Sequence, residues 1–282
     1  MIKPLPLVSV VIPTHNNCDY KRGIALSSAM HSVADQSYQN LEIIVVDDCS
    51  TDDTEDFVKR TARFVDCPVL YYKTAKQSGS PVVPRNLGVE ASNGKYLAFL
   101  DADDIMYKDK IRIQVEHMEF YNGSCGDACI MCYHDMDVKE GKLIRRWSDL
   151  SSCYGGPSEF LFGKLIKKNF IPCSSVMINL EKYPKPYMNP DFKISHDWDL
   201  FLSMSQIGDI HFINIRLGQL TLHEGSVVTD THQRRKESRQ VIRNRKYCIE
   251  KWEYRKIMVR YYLVEIYDRL PKKMQGIIRK LI

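Results

Sequence analysis

The sequence of 282 residues has no stretch of about 20 apolar residues, the length that a helix needs to cross a bilayer. Its opening run, Met1 to Pro13, has one basic residue, early prolines and no small-x-small cleavage site. These features exclude a typical secretion signal, and the run instead predicts a first strand. We therefore expect a cytoplasmic protein, in which unpaired cysteines are ordinary.

The nine cysteines are odd in number and lack the regular spacing of a disulfide-rich secreted domain. Cys125, Cys129 and Cys132 do have the C-x3-C-x2-C spacing with which radical-SAM proteins hold an iron–sulfur cluster. However, residues 127–138 have the apolar character of a strand, whose alternation would send Cys129 and Cys132 to opposite faces. We expect these cysteines to act as small buried hydrophobic residues.

Two glycine-rich nucleotide-binding motifs are also missing. The chain contains neither G-x-G-x-x-G after its first strand nor a P-loop. The turn after that strand is Pro13-Thr14-His15-Asn16-Asn17, which has no glycine. These absences exclude the dinucleotide-binding and P-loop folds, so any bound phosphate must be held in another way.

The net charge of +5 is unevenly distributed along the chain. Residues 231–282 contain 16 Lys and Arg against 5 Asp and Glu, so this segment carries +11 and the remainder −6. We expect residues 1–230 to form one domain and residues 231–282 a basic helical extension with its own surface or partner.

Apolar runs and helical patterns alternate over the first hundred residues. The expected strands are 7–12, 41–46, 69–73 and 95–100, and the expected helices are 22–35, 50–64 and 83–91. This βαβα order predicts an α/β fold with a doubly wound, mainly parallel sheet. Residues 105–230 have a mixed pattern, with helices expected at 108–121, 158–168 and 197–206 and strands at 127–138, 142–147, 174–179, 210–215 and 219–223.

The fourth expected strand ends in three carboxylates, Asp101, Asp103 and Asp104. Open α/β sheets bind ligands at this edge, and crowded carboxylates repel one another unless a cation neutralises them. Oxygen ligands of this kind suit Mg²⁺ or Mn²⁺ shared with substrate phosphates. The alternative is a helix cap at Asp103 or Asp104, which would need one acid rather than three.

Three segments resemble the family 2 glycosyltransferases with the GT-A fold. They are VSVVIPTHN at 8–16, SVADQSYQNLEIIVVDDCSTDDT at 32–54 and PRNLGVEASNGKYLAFLDADD at 84–104, in the usual order and spacing. The resemblance is dense over residues 7–115 and patchy over 170–228. It implies that residues 1–104 bind a sugar nucleotide, usually a UDP-sugar, and that residues 105–230 bind the acceptor.

The resemblance also implies roles for individual side chains. Asp48 would accept a hydrogen bond from the ring N–H of the base, which suits an acceptor-only carboxylate, or would instead cap a helix. Arg85 would lie near the base and diphosphate and bind phosphate oxygens. Asp101 would contact ribose and metal, Asp103 would be the direct metal ligand, and His223 would reach the metal or the diphosphate. The other expected donor-binding residues are Pro13, Thr14, Asn16, Asn86 and Ala102.

An inverting transfer needs a base that takes the proton from the acceptor hydroxyl. Residues 195–200 resemble the family's acidic motif, in which Glu-Asp commonly precedes an aromatic residue, but His196 stands in the Glu position and its role stays open. Asp197 matches the base and begins an expected helix, which favours its ionised form; the alternative is a simple N-cap. Trp198 would be a platform for the acceptor sugar or would pack, and Ser174 would line the acceptor side.

These features predict an inverting glycosyltransferase of bacterial surface-polysaccharide synthesis that uses Mn²⁺ or Mg²⁺ and a glycan or polyprenyl-diphosphate-linked acceptor. The alternatives are a nucleotidyltransferase that acts on a sugar phosphate and a non-catalytic binder of sugar nucleotides or glycans. We expect no nucleic-acid partner, because no known binding module accompanies the basic tail. Residues 254–282 would either bind the anionic inner face of the cytoplasmic membrane or pack on the domain.

Overall fold

The computed structural model describes residues 4–18, 20–124, 129–151, 153, 158–222 and 231–269. The chain separates into two compact units, Met1–Ser226 and Val227–Ile282. The sequence prediction placed this boundary at residue 230. The further division of the first unit into a nucleotide-binding and an acceptor-binding half stays a prediction.

The first unit begins with alternating strands and helices. They are β1 (Val8–Thr14), α1 (Tyr20–Ala34), β2 (Leu41–Asp47), α2 (Thr54–Thr61), β3 (Val69–Lys73), α3 (Val82–Ala91) and β4 (Tyr96–Phe99). Every residue of β1, β2 and β4 is buried, as expected for parallel strands that are covered on both faces. The predicted parallel pairing is confirmed, since β1 pairs in parallel with β2 and β4, and β2 with β3.

The second half of this unit extends the same sheet with antiparallel pairs. Its elements are β5 (Ile105–Met106), α4 (Lys110–Ser124), β6 (Cys129–Glu140), β7 (Leu143–Arg146), α5 (Trp147–Leu150), α6 (Ser158–Leu165), β8 (Met177–Asn179), α7 (His196–Met204) and β9 (Asp209–Leu222). The described residues form a nine-stranded sheet in the order β3-β2-β1-β4-β8-β6-β9-β5, with β7 paired to β6. Because β4 and β6 are both antiparallel to β8, they run in the same direction. The predicted mixed α/β architecture is therefore confirmed.

Some element predictions were wrong in detail. The two strands expected at 210–215 and 219–223 are one strand, β9, whose pairing with β6 contains register shifts. Strand β5 and helix α5 were not predicted, because elements of 2 and 4 residues are too short to show a periodic pattern.

The faces of the β6 cysteines were also predicted wrongly. Both Cys129 and Cys132 face α4, where His117 lies beside Cys129 and the Gln114 amide nitrogen lies 3.6 Å from Cys132 Sγ. A register shift between Cys129 and Met131 breaks the regular alternation of the strand. Both thiols are fully buried, as the sequence indicated, and Cys125 lies outside the described residues.

The carboxyl ends of β1, β2 and β4 lie at one edge of the sheet. Thr14 is aligned with Asp47, and the N–H of Asp48 donates to the Thr14 carbonyl oxygen over 2.8 Å. Helix α3 packs closely on β1 at Gly88. This contact requires glycine, because a Cβ at Gly88 would lie 2.3 Å from Cγ1 of Val11. This close approach places the first turn of α3 beside the same edge.

The second unit contains α8 (Thr231–Asn244), a short 3-10 turn (Lys246–Cys248) and α9 (Lys251–Arg269). Each helix has buried apolar side chains, which are Val241, Ile242, Ile257 and Met258. The Arg243 guanidinium donates to the Tyr262 hydroxyl over 2.8 Å and so links the two helices. Among the described residues, none of the helices combines the length and the apolar character needed to cross a membrane.

Candidate active site

A buried guanidinium lies at the carboxyl edge of the sheet. Arg85 is in the first turn of α3, and its side chain is only 4% exposed. Its Nη2 forms an ion pair with Asp101, and its Nη1 lies 2.6 Å from Nε2 of His196. A buried cation needs such partners to offset its loss of hydration. Arg85 therefore joins the end of β4 to the start of α7, two regions that are distant in sequence.

The hydrogen bonds of His196 define its protonation. Its Nδ1 lies 3.1 Å from the Lys193 carbonyl oxygen, which can only accept, so Nδ1 carries the proton and Nε2 accepts from Arg85. Burial, and then the charge of Arg85, lowers the pKa of His196 to about 3. The imidazole is therefore neutral at pH 7. A Glu in this position would instead place a second carboxylate, beside that of Asp101, against the guanidinium.

Asp197 follows directly in the first turn of α7 and is half-buried. Burial raises its pKa to about 6, whereas the charge of Arg85 and hydrogen bonds to the ionised form limit this rise. Those bonds come from the Trp198 N–H at 2.6 Å and the Asn169 amide at 3.3 Å. The N-cap position belongs to Ser195, so the simple capping alternative is not observed. The carboxylate is ionised at neutral pH and still basic enough to accept a proton.

The three carboxylates after β4 lie together in a turn, in which the Asp104 N–H donates to the Asp101 carbonyl oxygen over 3.0 Å. Asp101 and Asp103 are half-buried and Asp104 is buried. Burial, followed by the charges of Asp101 and Asp103, raises the pKa of Asp104 well above its ordinary value. The three carboxyl groups therefore repel one another, and the burial of Asp104 strengthens this repulsion. Carboxylate oxygens from Asp101 and Asp103 fit Mn²⁺ or Mg²⁺ in type and charge.

The expected base-binding residue, Asp48, is covered by the loop at residues 74–80. Its carboxylate oxygens accept hydrogen bonds from the Ser78 N–H at 3.0 Å and from the Gly79 N–H at 3.1 Å. The Ser78 hydroxyl adds a third bond at 3.0 Å, and Thr74 contributes a longer one of 3.3 Å. A helix-capping role for Asp48 is not observed. A nucleobase N–H would have to compete with these loop donors for the same oxygens.

The other base-side residues lie at the same edge. Asn16 adopts a left-handed backbone conformation with φ 49°, and its side-chain oxygen accepts the Thr51 N–H over 2.9 Å. The loops after β1 and β2 are thereby tied together. Pro13 and Thr14 are the last residues of β1 and are buried. Ala102 is half-buried in the turn between Asp101 and Asp103.

Two residues expected to bind ligands make hydrogen bonds within the protein, and their ligand contacts stay predictions. The Asn86 amide makes two hydrogen bonds of 2.8 Å with the backbone of Met188, so it holds the loop before α7. Ser174 is buried; its hydroxyl donates to Asp104 over 2.6 Å and accepts the Asp101 N–H over 3.1 Å. Both side chains are occupied by contacts across long sequence distances, which a motif does not reveal.

Of the two alternatives for Trp198, packing is the one that the structure shows. Its ring is 3% exposed, and its indole N–H donates to the Leu165 carbonyl oxygen over 2.8 Å, so it packs in the core. Sequence reasoning missed Asn169, which contacts the candidate base, because an isolated asparagine in a loop carries no signal. His223, expected near the metal, lies outside the described residues.

Comparison with known proteins gives a consistent family. Residues 9–177 match the model named glycosyl transferase family 2. TuaG of Bacillus subtilis (strain 168), a glycosyltransferase assigned to teichuronic acid biosynthesis, is 32% identical over 203 residues, which cover 72% of this chain and 73% of TuaG. The Escherichia coli enzyme WfaP, UDP-Glc:alpha-D-GlcNAc-diphosphoundecaprenol beta-1,3-glucosyltransferase, is 27% identical over 207 residues and 72% of each chain. RC0461 of Rickettsia conorii is 31% identical, but the chain spans only 33% of that longer relative.

Solved structures share the fold at low sequence identity. S. aureus TarS in complex with UDP-GlcNAc superposes with a TM-score of 0.68 and 18% identity, covering 95% of this chain and 77% of TarS. The mannosyltransferase PcManGT from Pyrobaculum calidifontis, in complex with GDP-Man and Mn²⁺, superposes with a TM-score of 0.58 and 16% identity. The match covers 85% of this chain and 64% of PcManGT. The predicted GT-A fold is confirmed by these similarities. Since the family model spans more than half of the chain, this protein belongs to glycosyl transferase family 2.

Proposed function

We propose that this glycosyltransferase transfers a sugar from a nucleotide-sugar donor to a hydroxyl of a glycan or polyprenyl-diphosphate-linked acceptor in surface-polysaccharide synthesis, with inversion at the anomeric carbon. The observation that carries the proposal is the buried Arg85, which holds Asp101 on one side and the His196–Asp197 pair on the other. The name of WfaP, with its UDP-glucose donor and diphosphoundecaprenol acceptor, supports both substrate classes. UDP is therefore our first choice of nucleotide, and the GDP-Man complex of PcManGT makes GDP the alternative.

In the proposed reaction Asp197 acts as the base. Its carboxylate takes the proton of the acceptor hydroxyl, and the oxygen forms a bond to the anomeric carbon of the donor sugar. The bond from that carbon to the diphosphate oxygen breaks, and its electron pair leaves with the nucleoside diphosphate. Arg85 places a fixed positive charge where negative charge develops on the leaving group, and it also orients Asp101.

The acidic turn after β4 fits a divalent cation. We propose that Asp103 and Asp101 hold Mn²⁺ or Mg²⁺, with Asp103 as the direct ligand, the role that the family resemblance implies, while Asp101 is also paired with Arg85. The raised pKa of Asp104 supports this, since a cation would relieve the repulsion that burial intensifies. When bound, the ion would stabilise the charge on the departing diphosphate.

We place the nucleobase beside the loops that follow β1 and β2, against Pro13, Thr14, Asn16 and Asp48. The donors of Ser78 and Gly79 on Asp48 show that this carboxylate already accepts N–H groups in its present environment. A base N–H would take the place of one of them. The loop at 74–80 would therefore shift on donor binding. Slower proteolysis of this loop in the presence of a donor would support this placement.

The direct test is product analysis with a panel of UDP- and GDP-sugars, with Mn²⁺, Mg²⁺ or EDTA present. We expect nucleoside diphosphate release that stops with EDTA. Asp197→Asn should lower kcat about 10²–10⁴-fold, the usual contribution of a general base, at unchanged donor affinity. Asp199→Asn, two positions along the same helix turn, is the matched control and should retain activity. An Asp197→Asn variant with full turnover would remove the assigned base.

The same assay separates the alternative functions. A nucleotidyltransferase would release inorganic diphosphate from a nucleoside triphosphate and a sugar phosphate. A non-catalytic binder would show donor-dependent thermal stabilisation without any product, in the wild type as in Asp197→Asn. Either result would replace the proposed transfer reaction.

We also propose that the second unit binds an anionic membrane surface, which would bring the enzyme to a lipid-linked acceptor. The described part of α8 and α9 exposes several cationic side chains, which are Arg234, Lys236, Arg243, Lys251, Arg255 and Lys256. The apolar Val259 and the aromatic Tyr247 are also exposed, by 54% and 88%. Cationic and apolar groups together suit an interface with anionic lipid headgroups.

Vesicle flotation tests this part of the proposal. Binding to vesicles with anionic lipid should weaken with salt and fall in Arg255→Glu/Lys256→Glu. Lys139→Glu/Lys142→Glu, which reverses two exposed charges in the β6–β7 hairpin, is the matched control and should float like the wild type. Equal flotation of both variants would show that the helices do not bind the membrane.

A further inference from the structure

We propose that His117, Cys129 and His211 form a binding site for a zinc ion, separate from the carboxylate site at the catalytic edge. The three residues come from three elements, α4, β6 and β9. Their candidate ligand atoms all lie within 4.8 Å of one another. Nothing in the proposed transfer reaction uses them.

The chemistry of the three ligands selects the ion. One thiolate and two imidazoles suit Zn²⁺, whereas Mg²⁺ and Mn²⁺ prefer the all-oxygen set offered by Asp101 and Asp103. A tetrahedral zinc ion with bonds of about 2.0–2.1 Å to nitrogen and 2.3 Å to sulfur places two nitrogens about 3.3 Å apart and sulfur and nitrogen about 3.6 Å apart. His117 Nε2 lies 2.9 Å from His211 Nδ1, so the imidazoles need to separate by only a few tenths of an ångström. A set of three protein ligands leaves one position for a further ligand.

The surroundings form a built site rather than a surface cluster. Cys129 is fully buried, and both histidines are half-buried. The ring of Tyr121 covers the two imidazoles, with centroids 4.6 Å from His117 and 4.4 Å from His211. An ion would therefore approach from the histidine side and be held against the core by the thiolate.

The protonation of the ligands is compatible with metal binding. Burial, and then His211, lowers the pKa of His117 to about 4, so its imidazole is neutral at pH 7. The hydrogen bond between His117 Nε2 and His211 Nδ1 would be replaced by bonds from both nitrogens to the ion, with each ring proton on the other nitrogen. Burial raises the pKa of Cys129 to about 12, and its Sγ lies 3.5 Å from the Met131 carbonyl oxygen. The thiol is protonated without metal and would release one proton when zinc binds.

The position of the cluster in the sheet separates it from catalysis. Met131 is aligned with Ile178, and Ile178 with Leu97, so Cys129 lies toward the amino end of β4. The carboxylates of the proposed active site follow the opposite, carboxyl end of that strand. Zinc at this cluster would join α4, β6 and β9, and we expect it to stabilise the fold rather than to take part in sugar transfer.

Cobalt substitution tests the site in the full-length protein. Metal-free protein in excess Mg²⁺ is titrated with Co²⁺. We expect a thiolate-to-cobalt charge-transfer band that saturates at one Co²⁺ per chain. Added Zn²⁺ should displace the cobalt and remove the band. The band should disappear in Cys129→Ser and persist in Cys67→Ser, a half-buried cysteine remote from the cluster. No such band in the wild type, or a band unchanged in Cys129→Ser, would overturn the proposal.

Thermal unfolding supplies a second readout that needs no spectroscopic probe. Zinc at about 100 times its Kd should raise the Tm by on the order of 5–10 °C for a chain of this size. The shift should be lost in His211→Ala and retained in Asp197→Asn. Equal zinc stabilisation in His211→Ala would place the ion elsewhere. Failure of the transferase assay leaves this test unaffected.

Discussion

Lowering the pH from 7 to 5 should reduce kcat/KM about tenfold, because the proposed base, Asp197, becomes protonated. With a pKa of about 6, its ionised fraction falls from about 0.9 at pH 7 to about 0.1 at pH 5. An aspartate with the ordinary value of 3.8 would stay more than about 90% ionised over this range, and the rate would hardly change. The sign follows from the chemistry, since only the ionised carboxylate accepts the hydroxyl proton.

The assay is the initial rate of nucleoside diphosphate release at low donor concentration, measured in half-unit steps of pH. Circular dichroism at each pH confirms that the chain is folded. A plateau above pH 7 and a fall of about tenfold per unit well below pH 6 are expected. An unchanged rate at pH 5 would refute the assignment of a raised pKa to the catalytic base.

A single variant tests the physical cause of this pKa. Asn169→Ala removes a hydrogen bond to the ionised carboxylate of Asp197, so the midpoint of the profile should move to higher pH. Asn40→Ala, which removes an exposed side chain from the other end of the sheet, is the control and should leave the midpoint in place. Asp104→Asn checks that the titrating group is not the other carboxylate whose pKa is raised.

Three further predictions concern stability, each read from urea denaturation. His196→Ala leaves a buried guanidinium N–H unpaired and should cost about 1–3 kcal/mol, with part of this recovered in His196→Gln. Burial lowers the pKa of Lys110 to about 7, so the unfolded state binds more protons than the folded state above this pH. The free energy of unfolding should therefore rise by about 2 kcal/mol from pH 7 to pH 9. The Lys110→Met variant should lack this rise. Gly88→Ala brings a methyl group into Val11 and should cost about 1–3 kcal/mol, whereas Gly163→Ala, with open space around its Cβ position, should be neutral or slightly stabilising.

Much of the structure of residues 1–104 was predictable because its signals are local. The strands β1, β2 and β4 are buried on both faces, so most of their side chains are apolar. Polar residues then begin abruptly where each strand ends, which placed Asp48 and Asp101 at one edge. The boundaries of β3 were predicted without error, since its run is bounded by turn residues on both sides.

The contacts within the site were not predictable to the same degree. Arg85 and His196 are separated by 111 positions, and their pairing depends on how α3 and α7 pack at the edge of the sheet. Ser174 and Asn86 have polar side chains of the kind that bind ligands. In the structure, however, the Ser174 hydroxyl donates to Asp104 and the Asn86 amide donates to the Met188 carbonyl oxygen. A register shift, which no alternation pattern shows, turned Cys129 toward α4.

By itself, the sequence determined the α/β class, the order of the first four strands, the family and the carboxylates available at the strand ends. These follow from local composition and from motifs of contiguous residues. Only the tertiary structure decided which polar groups face the site and which are consumed in the core. Burial requires each polar group to find a partner, and that partner usually comes from a distant part of the chain.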